Sequence, residues 1–191
     1  MIRIAVVGDI GSGKSHVARK FGYPIFNADT EVAKLYKESK KCYYKLKKKL
    51  PNYIFSFPVK KGELSKAVLS SRNNLKKINK IIHPEIRKKM NIFLKKNKSK
   101  KIVILDVPLL MENKINKKKD IIIFVDGKKK EINKRLKKRS GFNPKIVNIL
   151  KKIKLPLKKK KRKSNFIIKN NFKNNSVKKS IKNILYKIQN D

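Results

Sequence analysis

The amino-acid sequence predicts an α/β fold, a doubly wound parallel sheet of five strands. Five short apolar runs alternate along the 191 residues with segments of helical periodicity. Short runs that are apolar throughout are typical of parallel strands with helices on both faces. A cluster of glycines directly after the first run supplies a second observation, because such turns join strands to helices in folds of this class. The crossovers between parallel strands are expected to be right-handed.

The strands are predicted from apolar residues bounded by charged or turn residues. In chain order they cover residues 2–7, 24–27, 101–106, 121–125 and 166–169.

Helices are predicted between the strands, where apolar residues recur every three or four positions. Proline is tolerated in the first turn of a helix, so Pro84 is predicted to open one. The predicted apolar faces contain Val32, Leu35, Tyr36, Tyr43, Leu46 and Leu50; Leu64, Val68, Leu75, Ile78 and Ile82; Ile86, Met90, Phe93 and Leu94; and Val177, Ile181, Ile184, Leu185 and Ile188.

The glycine cluster has the spacing of a phosphate-binding loop, or P-loop. Gly8, Gly13, Lys14 and Ser15 match G-x-x-x-x-G-K-[ST], with a predicted strand before them and a predicted helix after. Glycines at 11 and 13 allow successive backbone N–H groups around Ser12 to turn toward one anion. The motif predicts that Lys14 contacts the β- and γ-phosphates of a nucleotide and that the Ser15 hydroxyl joins a Mg²⁺ shell.

Two aspartates follow predicted strands, where the carboxyl ends of parallel strands form a ligand crevice. Asp29 there is predicted to accept a hydroxyl proton or to help hold Mg²⁺; the alternative is an N-cap, aided by Thr30. Asp106 ends the apolar run at 101–106 and is predicted to be a Mg²⁺ ligand.

Composition gives two interpretations of the strong basic charge. With 55 lysine and arginine residues against 12 acidic residues, the net charge is +43. Such a charge favours binding to nucleic acid, but lysine, asparagine and isoleucine all have A/T-rich codons and the lysines are spread along the chain. We therefore expect no specific nucleic-acid partner. The run at 151–163 is the densest in basic residues and predicts either a solvated loop or a segment that closes over a triphosphate.

Cysteine content and hydropathy predict a cytoplasmic protein. Cys42 is the single cysteine, so no intrachain disulfide is expected and a reducing compartment is favoured. The longest apolar stretch, at 121–125, is far too short to span a membrane. The first residues lack the pattern of a signal peptide.

Taken in order, these motifs resemble those of the dephospho-coenzyme A kinase family. "GDIGSGKS" resembles its P-loop, "NAD" its D-A-D, "IIHPEIR" its H-P-x-[IV]-R and "LDVPLLMEN" its D-x-P-L-L-x-E. "NKRLKKR" and "FIIKNN" are similar to its lid arginines and its last strand. The ordered set, which spans nearly the whole chain, is specific although most of its pieces are not.

This resemblance implies transfer of the ATP γ-phosphate, with Mg²⁺, to the ribose 3′-hydroxyl of dephospho-coenzyme A, the last step of coenzyme A synthesis. It also implies a P-loop kinase domain over residues 1–191, with a helical substrate-binding subdomain at about 30–97 and a basic lid at about 135–163. We expect a monomer whose partners are dephospho-coenzyme A and ATP.

The resemblance assigns roles residue by residue. Asp29 matches the catalytic carboxylate, and residues 11–16, including His16, match the nucleotide loop. Arg135 and Arg139 lie four apart and are predicted to share one helix face and to reach the same phosphates, Arg139 catalytically; a solvated helix face is the alternative. The acceptor side would be bound by His83, Arg87 and Glu112, although His83 taken alone favours a structural role at a helix start before Pro84.

Departures from the family pattern leave other functions open. Asn27 replaces the first acid of D-A-D, His16 replaces a threonine, Ser164 and Asn165 replace Ala-Asp, and Ile153 stands near the place of a lid glutamine. The alternatives are another small-molecule or nucleotide kinase, a P-loop protein that binds nucleic acid, and an inactive P-loop protein.

Overall fold

The structure, a computed structural model, describes residues 1–139, 141–172 and 174–190. It divides into two compact units. The sheet unit contains Met1–Asn27, Asn97–Phe142 and Ile153–Asp191, and the helical unit contains Ala28–Lys96 and Asn143–Lys152. Ser140, which falls in the predicted lid range, lies outside the described residues. The substrate-binding and lid roles expected for about 30–97 and 135–163 stay predictions.

The sheet unit is built on five parallel strands in the order β2-β3-β1-β4-β5. The strands are β1 Ile2–Gly8, β2 Ile25–Asn27, β3 Ile102–Asp106, β4 Ile121–Gly127 and β5 Phe166–Asn170. The predicted α/β class, the parallel sheet and all five strands are confirmed, with ends shifted by at most two residues. The helices of this unit are α1 Lys14–Lys20, α6 Lys129–Lys137, α8 Leu157–Arg162 and α9 Asn174–Asn190.

One face of the sheet packs against α1 and α9. In β1, Ile4 and Val6 point into this core, next to their register partners in the neighbouring strands. Val17 of α1 and Val177 of α9 are fully buried in it. Alternate residues therefore serve opposite faces, and both faces of β1 are buried, which is why its sequence is apolar except at Arg3, whose guanidinium pairs with Asp120 at 2.9 Å.

The helical unit contains α2 Ala28–Glu38, α3 Lys40–Lys49, α4 Lys61–Ser70, α5 Arg72–Lys96 and α7 Pro144–Lys152. Ser39 separates α2 from α3 and accepts a 3.2 Å hydrogen bond from the N–H of Cys42, as an N-cap does. Ser71 separates α4 from α5.

The prediction that Pro84 opens a helix is wrong, because α5 is continuous and Pro84 lies inside it. Proline there removes one hydrogen bond of the ladder. Buried Ile78, Ile82, Ile86 and Met90 keep one apolar face on both sides of Pro84. The packing of that face outweighs the local cost, so His83 is in mid-helix rather than at a helix start.

The basic run at 151–163 is not one helix, as its Leu-Pro-Leu interruption predicts. It contains the end of α7, a break at 153–156, and α8. The interpretation as a solvated loop fails at Lys160, whose side chain is 1% exposed.

Among the helices of the described ranges, none combines the length and the low charge that crossing a bilayer requires.

Candidate active site

The P-loop lies where the order of the strands reverses. β1 has β3 on one side and β4 on the other, so the connections leaving the two sides of β1 diverge at its carboxyl end. In sheets of this kind, the crevice at such a point is where ligands bind. The loop at residues 8–13 connects β1 to α1 at that point.

The backbone of the P-loop requires its glycines. Gly8, Gly11 and Gly13 have φ values of 151°, 82° and 89°, which disfavour residues with a Cβ atom. A Cβ on Gly13 would also overlap the side-chain amide of Asn170, and one on Gly8 would lie 2.6 Å from the carbonyl oxygen of Val125. The positive φ values agree with the predicted turn of the backbone at Gly11 and Gly13, and the phosphate that this turn would bind stays a prediction.

The first turn of α1 presents its amides at the end of this loop. Gly13 is the N-cap, and Lys14, Ser15 and His16 are the first residues of the helix. The first N–H groups of a helix have no partner within it, and they carry the positive end of its dipole. An anion at this position therefore meets both aligned N–H groups and the Lys14 side chain, whose Nζ donates a 2.6 Å hydrogen bond to the carbonyl oxygen of Asp9.

Asn170, at the carboxyl end of β5, supports the P-loop, and sequence alone did not single it out. Its Nδ2 donates a 2.8 Å hydrogen bond to the carbonyl oxygen of Ser12, and its Oδ1 accepts one of 2.9 Å from the N–H of Phe172. Asn170 is 2% exposed and ends β5. A polar residue at the end of an apolar strand is the signal that singled out Asp106, and it could have identified Asn170 as well.

Asp106 ends β3 and is paired with Asn27, the last residue of β2. Asn27 Nδ2 donates a 2.7 Å hydrogen bond to Asp106 Oδ2, and Asp106 is 3% exposed. The register places the two residues directly opposite each other. The departure at Asn27 therefore puts an amide, not a second carboxylate, against a buried carboxylate.

The residues of the site suit Mg²⁺ bound together with a nucleotide. This ion keeps several waters and takes one or two protein oxygens plus phosphate oxygens. The Asp106 carboxylate and the Ser15 hydroxyl are oxygen donors of that kind. No group of three or more His, Cys, Asp or Glu side chains placed to hold a metal occurs among the described residues. A metal shared with phosphates needs no such group.

Asp29 lies in the first turn of α2, one residue after the helix begins. An N-cap precedes the first helical residue, so the N-cap interpretation does not hold for Asp29. The residue is exposed, and no hydrogen bond or ion pair of its carboxylate is found within the part of the chain that the structure describes. Its carboxylate is available to solvent and to ligands.

Glu112 is held among neighbours of the sheet unit. Its Oε1 lies 2.5 Å from Lys160 Nζ and accepts a 3.0 Å hydrogen bond from the N–H of Leu155. Glu112 therefore contacts the break at 153–156 through Leu155 and α8 through Lys160. Its Oε2 is buried without a hydrogen-bond partner among the described residues. The sequence analysis did not single out Lys160, since nothing in a run of lysines distinguishes the buried one.

In the helical unit, His83 and Arg87 lie one turn apart on α5. Burial lowers the pKa of His83, and the nearby positive charge of Arg87 lowers it further. The imidazole is therefore neutral at pH 7.

Glu31 of α2 bridges Lys34 and Lys89 at 3.0 and 3.1 Å, which ties α2 to α5.

The prediction that Arg135 and Arg139 share a helix face is wrong. α6 ends at Lys137, and Arg139 follows in a turn in which its N–H bonds to the carbonyl oxygen of Leu136. Gly141, with a φ of 69°, turns the chain soon after the helix ends. Arg135 stays on α6, with its guanidinium 4.7 Å from the ring centroid of Phe172.

A family profile and similar proteins carry the same description, dephospho-CoA kinase. A family profile described as dephospho-CoA kinase matches residues 2–176. A dephospho-CoA kinase of Wolbachia pipientis is 31% identical over 187 residues, which are 95% of each chain. That of Bartonella quintana is 33% identical over 170 residues, 86% of this chain and 87% of the relative. The crystal structure of a Thermus thermophilus protein superposes with a TM-score of 0.75 at 24% identity, covers 97% of each chain and supports the fold.

Proposed function

The chain belongs to the dephospho-CoA kinase family, and we propose that it transfers the γ-phosphate of ATP to the ribose 3′-hydroxyl of dephospho-coenzyme A through the residues assigned below. The observation that carries this proposal is the P-loop at the carboxyl end of β1, within a family match that covers residues 2–176.

The phosphates of ATP are bound by the P-loop and by Lys14. Gly8, Gly11, Ser12 and Gly13 supply a tightly turned backbone, and Ser15 and His16 continue it into α1. Phosphoryl transfer requires little covalent chemistry from the protein, so positioning and charge supply most of the rate. Aligned N–H groups and an ammonium group do this best in a fixed loop, and Asn170 holds this loop in place.

Mg²⁺, when bound with ATP, offsets the charge on the phosphates. Ser15 and Asp106 are the residues that would hold it. Asn27 orients Asp106 by donating to its Oδ2.

Asp29 is proposed as the catalytic base. A carboxylate that accepts the proton of the ribose hydroxyl raises the nucleophilicity of that oxygen as it attacks the γ-phosphorus. The exposed position of Asp29 and its match to the second acid of the family motif support this role.

For binding of the acceptor we propose His83, Arg87 and Glu112. For stabilising the negative charge on the transferred phosphate we propose Arg135 and Arg139. His83 and Arg87 share one stretch of α5, and a guanidinium suits the phosphates of the acceptor. Glu112 is engaged through Oε1, so it would act mainly by holding the segment at 153–160. Arg135, held against Phe172, is ordered close to the Gly13 end of the P-loop, since a Cβ on Gly13 would lie 3.5 Å from Cε1 of Phe172.

We also propose that the protein acts as a cytoplasmic monomer without a specific nucleic-acid partner. Its single cysteine, Cys42, is buried and makes no disulfide, and its substrates are soluble metabolites. The spread of lysines along the whole chain supports the last point.

The test is an assay of purified protein with ATP, Mg²⁺ and a panel of acceptors. The panel contains dephospho-coenzyme A, adenosine, AMP and shikimate, and product analysis locates the new phosphate. We expect dephospho-coenzyme A to be strongly preferred and phosphate to appear on the 3′-hydroxyl. Lys14→Ala serves as the inactive control. Equal turnover of another acceptor would reassign the substrate, and full activity of Lys14→Ala would reject the P-loop assignment.

A further inference from the structure

We propose that an exposed aromatic patch on the helical unit binds single-stranded nucleic acid without sequence preference, with its rings stacked on the bases and the lysines of α3 on the phosphates. The aromatic patch consists of Tyr43 and Tyr44 of α3 and of Phe55 and Phe57 from the loop between α3 and α4. This inference goes beyond the kinase reaction and does not depend on it.

The rings of the aromatic patch lie next to one another at the surface. The centroid of the Tyr43 ring is 5.2 Å from that of Tyr44 and 5.6 Å from that of Phe57. Tyr44 is 64% exposed, Phe55 63% and Phe57 38%. Single exposed apolar residues are common on protein surfaces, but aromatic rings gathered at one place are typical of an interaction site.

Side-chain hydrogen bonds hold the loop that presents Phe55 and Phe57. The Tyr43 hydroxyl donates a 3.2 Å hydrogen bond to the carbonyl oxygen of Phe55. Glu63 Oε1 accepts bonds of 3.1 Å and 2.8 Å from the N–H and the hydroxyl of Ser56, the residue between the two phenylalanines. The loop is therefore ordered before any ligand arrives, and stacking on its rings costs little conformational entropy.

The charge around the aromatic patch favours a polyanion as the partner. Among its ten residues α3 has six lysines and no acidic residue, and all six lysines are exposed. Lys47 Nζ lies 5.7 Å from the centroid of the Tyr43 ring. Cationic side chains interleaved with aromatic rings suit the phosphates and bases of a single strand. A second copy of this chain is disfavoured as the partner, because it would bring its own net charge of +43 to the same surface.

The aromatic patch recognises a class of ligand and not a sequence. Every base has a face that stacks on an aromatic ring, so the surface does not discriminate among bases. This agrees with the absence of a specific nucleic-acid partner proposed above. The lysines contribute through the release of counterions, so the binding weakens as salt rises. A duplex stacks its bases on one another and offers the rings no free face.

The first measurement is fluorescence anisotropy with a labelled oligothymidine of about 12 nucleotides in about 50 mM salt. Tyr44→Ala and Phe55→Ala keep the net charge and remove one ring, and each is expected to weaken binding about 5- to 100-fold. Tyr44→Phe keeps the ring and should bind like the wild type. Neither alanine variant should change the affinity for a duplex.

The matched control is Tyr186→Ala, which removes an exposed ring from α9 of the sheet unit and should leave the affinity for oligothymidine unchanged. Wild-type affinity in both Tyr44→Ala and Phe55→Ala would overturn the proposal. An equal loss in Tyr186→Ala would do so too, because the effect would then not belong to the aromatic patch.

The second measurement uses the wild type alone and separates stacking from charge. An abasic strand of the same length has the same phosphates and no bases, and it should bind about 5- to 100-fold more weakly than oligothymidine at the same salt. The slope of log affinity against log salt should be the same for both strands, because stacking releases no counterions. Equal affinity for the two strands would overturn the proposal, even if the alanine variants failed to fold.

A competition experiment distinguishes a nucleic acid from the adenine of the proposed acceptor. Saturating dephospho-coenzyme A, added at constant ionic strength, should leave the binding of oligothymidine unchanged. Displacement of the strand would assign the aromatic patch to the acceptor and would overturn the proposal. Failure of the protein to phosphorylate dephospho-coenzyme A would reject the proposed function and leave this surface as described.

Discussion

The side-chain amide of Asn27 donates a 2.7 Å hydrogen bond to Oδ2 of buried Asp106, across neighbouring strands of the sheet. The resemblance to the family places a carboxylate at position 27. In this chain, a carboxylate there would face a second one at hydrogen-bond distance with little water to screen the repulsion.

Asn27→Asp is therefore expected to lower the free energy of unfolding by about 1–3 kcal/mol in buffer that contains EDTA. Urea unfolding monitored by circular dichroism measures the change. The exchanged pair Asn27→Asp with Asp106→Asn restores one amide and one carboxylate and should recover most of the loss. A single variant as stable as the wild type would show that the hydrogen bond contributes little.

Asp29→Asn is expected to lower kcat by about 10²- to 10⁴-fold and to leave the affinity for ATP nearly unchanged, because it removes a base and keeps the shape of the side chain. Glu38→Gln removes the same charge at the other end of α2 and serves as the control. Steady-state kinetics together with ATP-analogue binding separate the two effects. A collapse of nucleotide affinity in Asp29→Asn would indicate that Asp29 holds the metal instead.

Asn170→Ala is expected to raise KM for ATP several-fold and to destabilise the protein by about 1–3 kcal/mol, since it leaves the carbonyl of Ser12 and the N–H of Phe172 without their bonds to its side chain. Thermal unfolding and ATP titrations of the kinase reaction measure the two effects. Asn133→Ala changes an exposed asparagine of α6 and should alter neither quantity. Loss of stability without any change in KM would limit Asn170 to a packing role.

The lowered pKa of His83 predicts a specific pH dependence. The folded state holds the imidazole neutral, so its stabilising contribution is complete above the unfolded pKa of 6.5 and is lost as the pH falls below it. The wild type should lose more stability between pH 7.5 and pH 5.5 than His83→Gln, which cannot take up the proton. Urea unfolding of both proteins at the two pH values gives the difference. Parallel losses would show that His83 does not titrate in this range.

The net charge of +43 predicts nonspecific binding to nucleic acid that salt abolishes. Binding that comes from counterion release should weaken about 10³-fold or more between about 50 and 200 mM salt. Kinase activity should fall far less, because the P-loop contacts are short and directed. Fluorescence anisotropy with a labelled duplex and a labelled single strand, run beside the kinase assay, compares the two. Tight, structure-selective binding at physiological salt would contradict the expectation of no specific nucleic-acid partner.

Sequence by itself determined the parts of this protein in which adjacent residues carry the signal. The five strands were predictable because strands that helices cover are mostly apolar, although β1 contains buried Arg3 and β5 is exposed at Lys169. The P-loop was predictable because backbone turned around an anion needs glycine at fixed spacing, and Lys14 and Ser15 follow directly in the chain. The order of the motifs along the chain indicated the dephospho-coenzyme A kinase family, and the family in turn implied the activity.

Tertiary structure decided two kinds of feature. The first is contacts between residues far apart in the sequence, and the second is places where packing outweighs the local conformational preference of a residue. Asn170 donates a hydrogen bond to Ser12, 158 residues away in the sequence. Asn27 donates one to Asp106, 79 residues away. Glu112 forms an ion pair with Lys160, one of many lysines in the chain. No local pattern contains such pairs, since each depends on which strands become neighbours and which side chain is buried there. The helix through Pro84 has the same origin, because an apolar face that packs along its whole length outweighs the cost of one missing hydrogen bond.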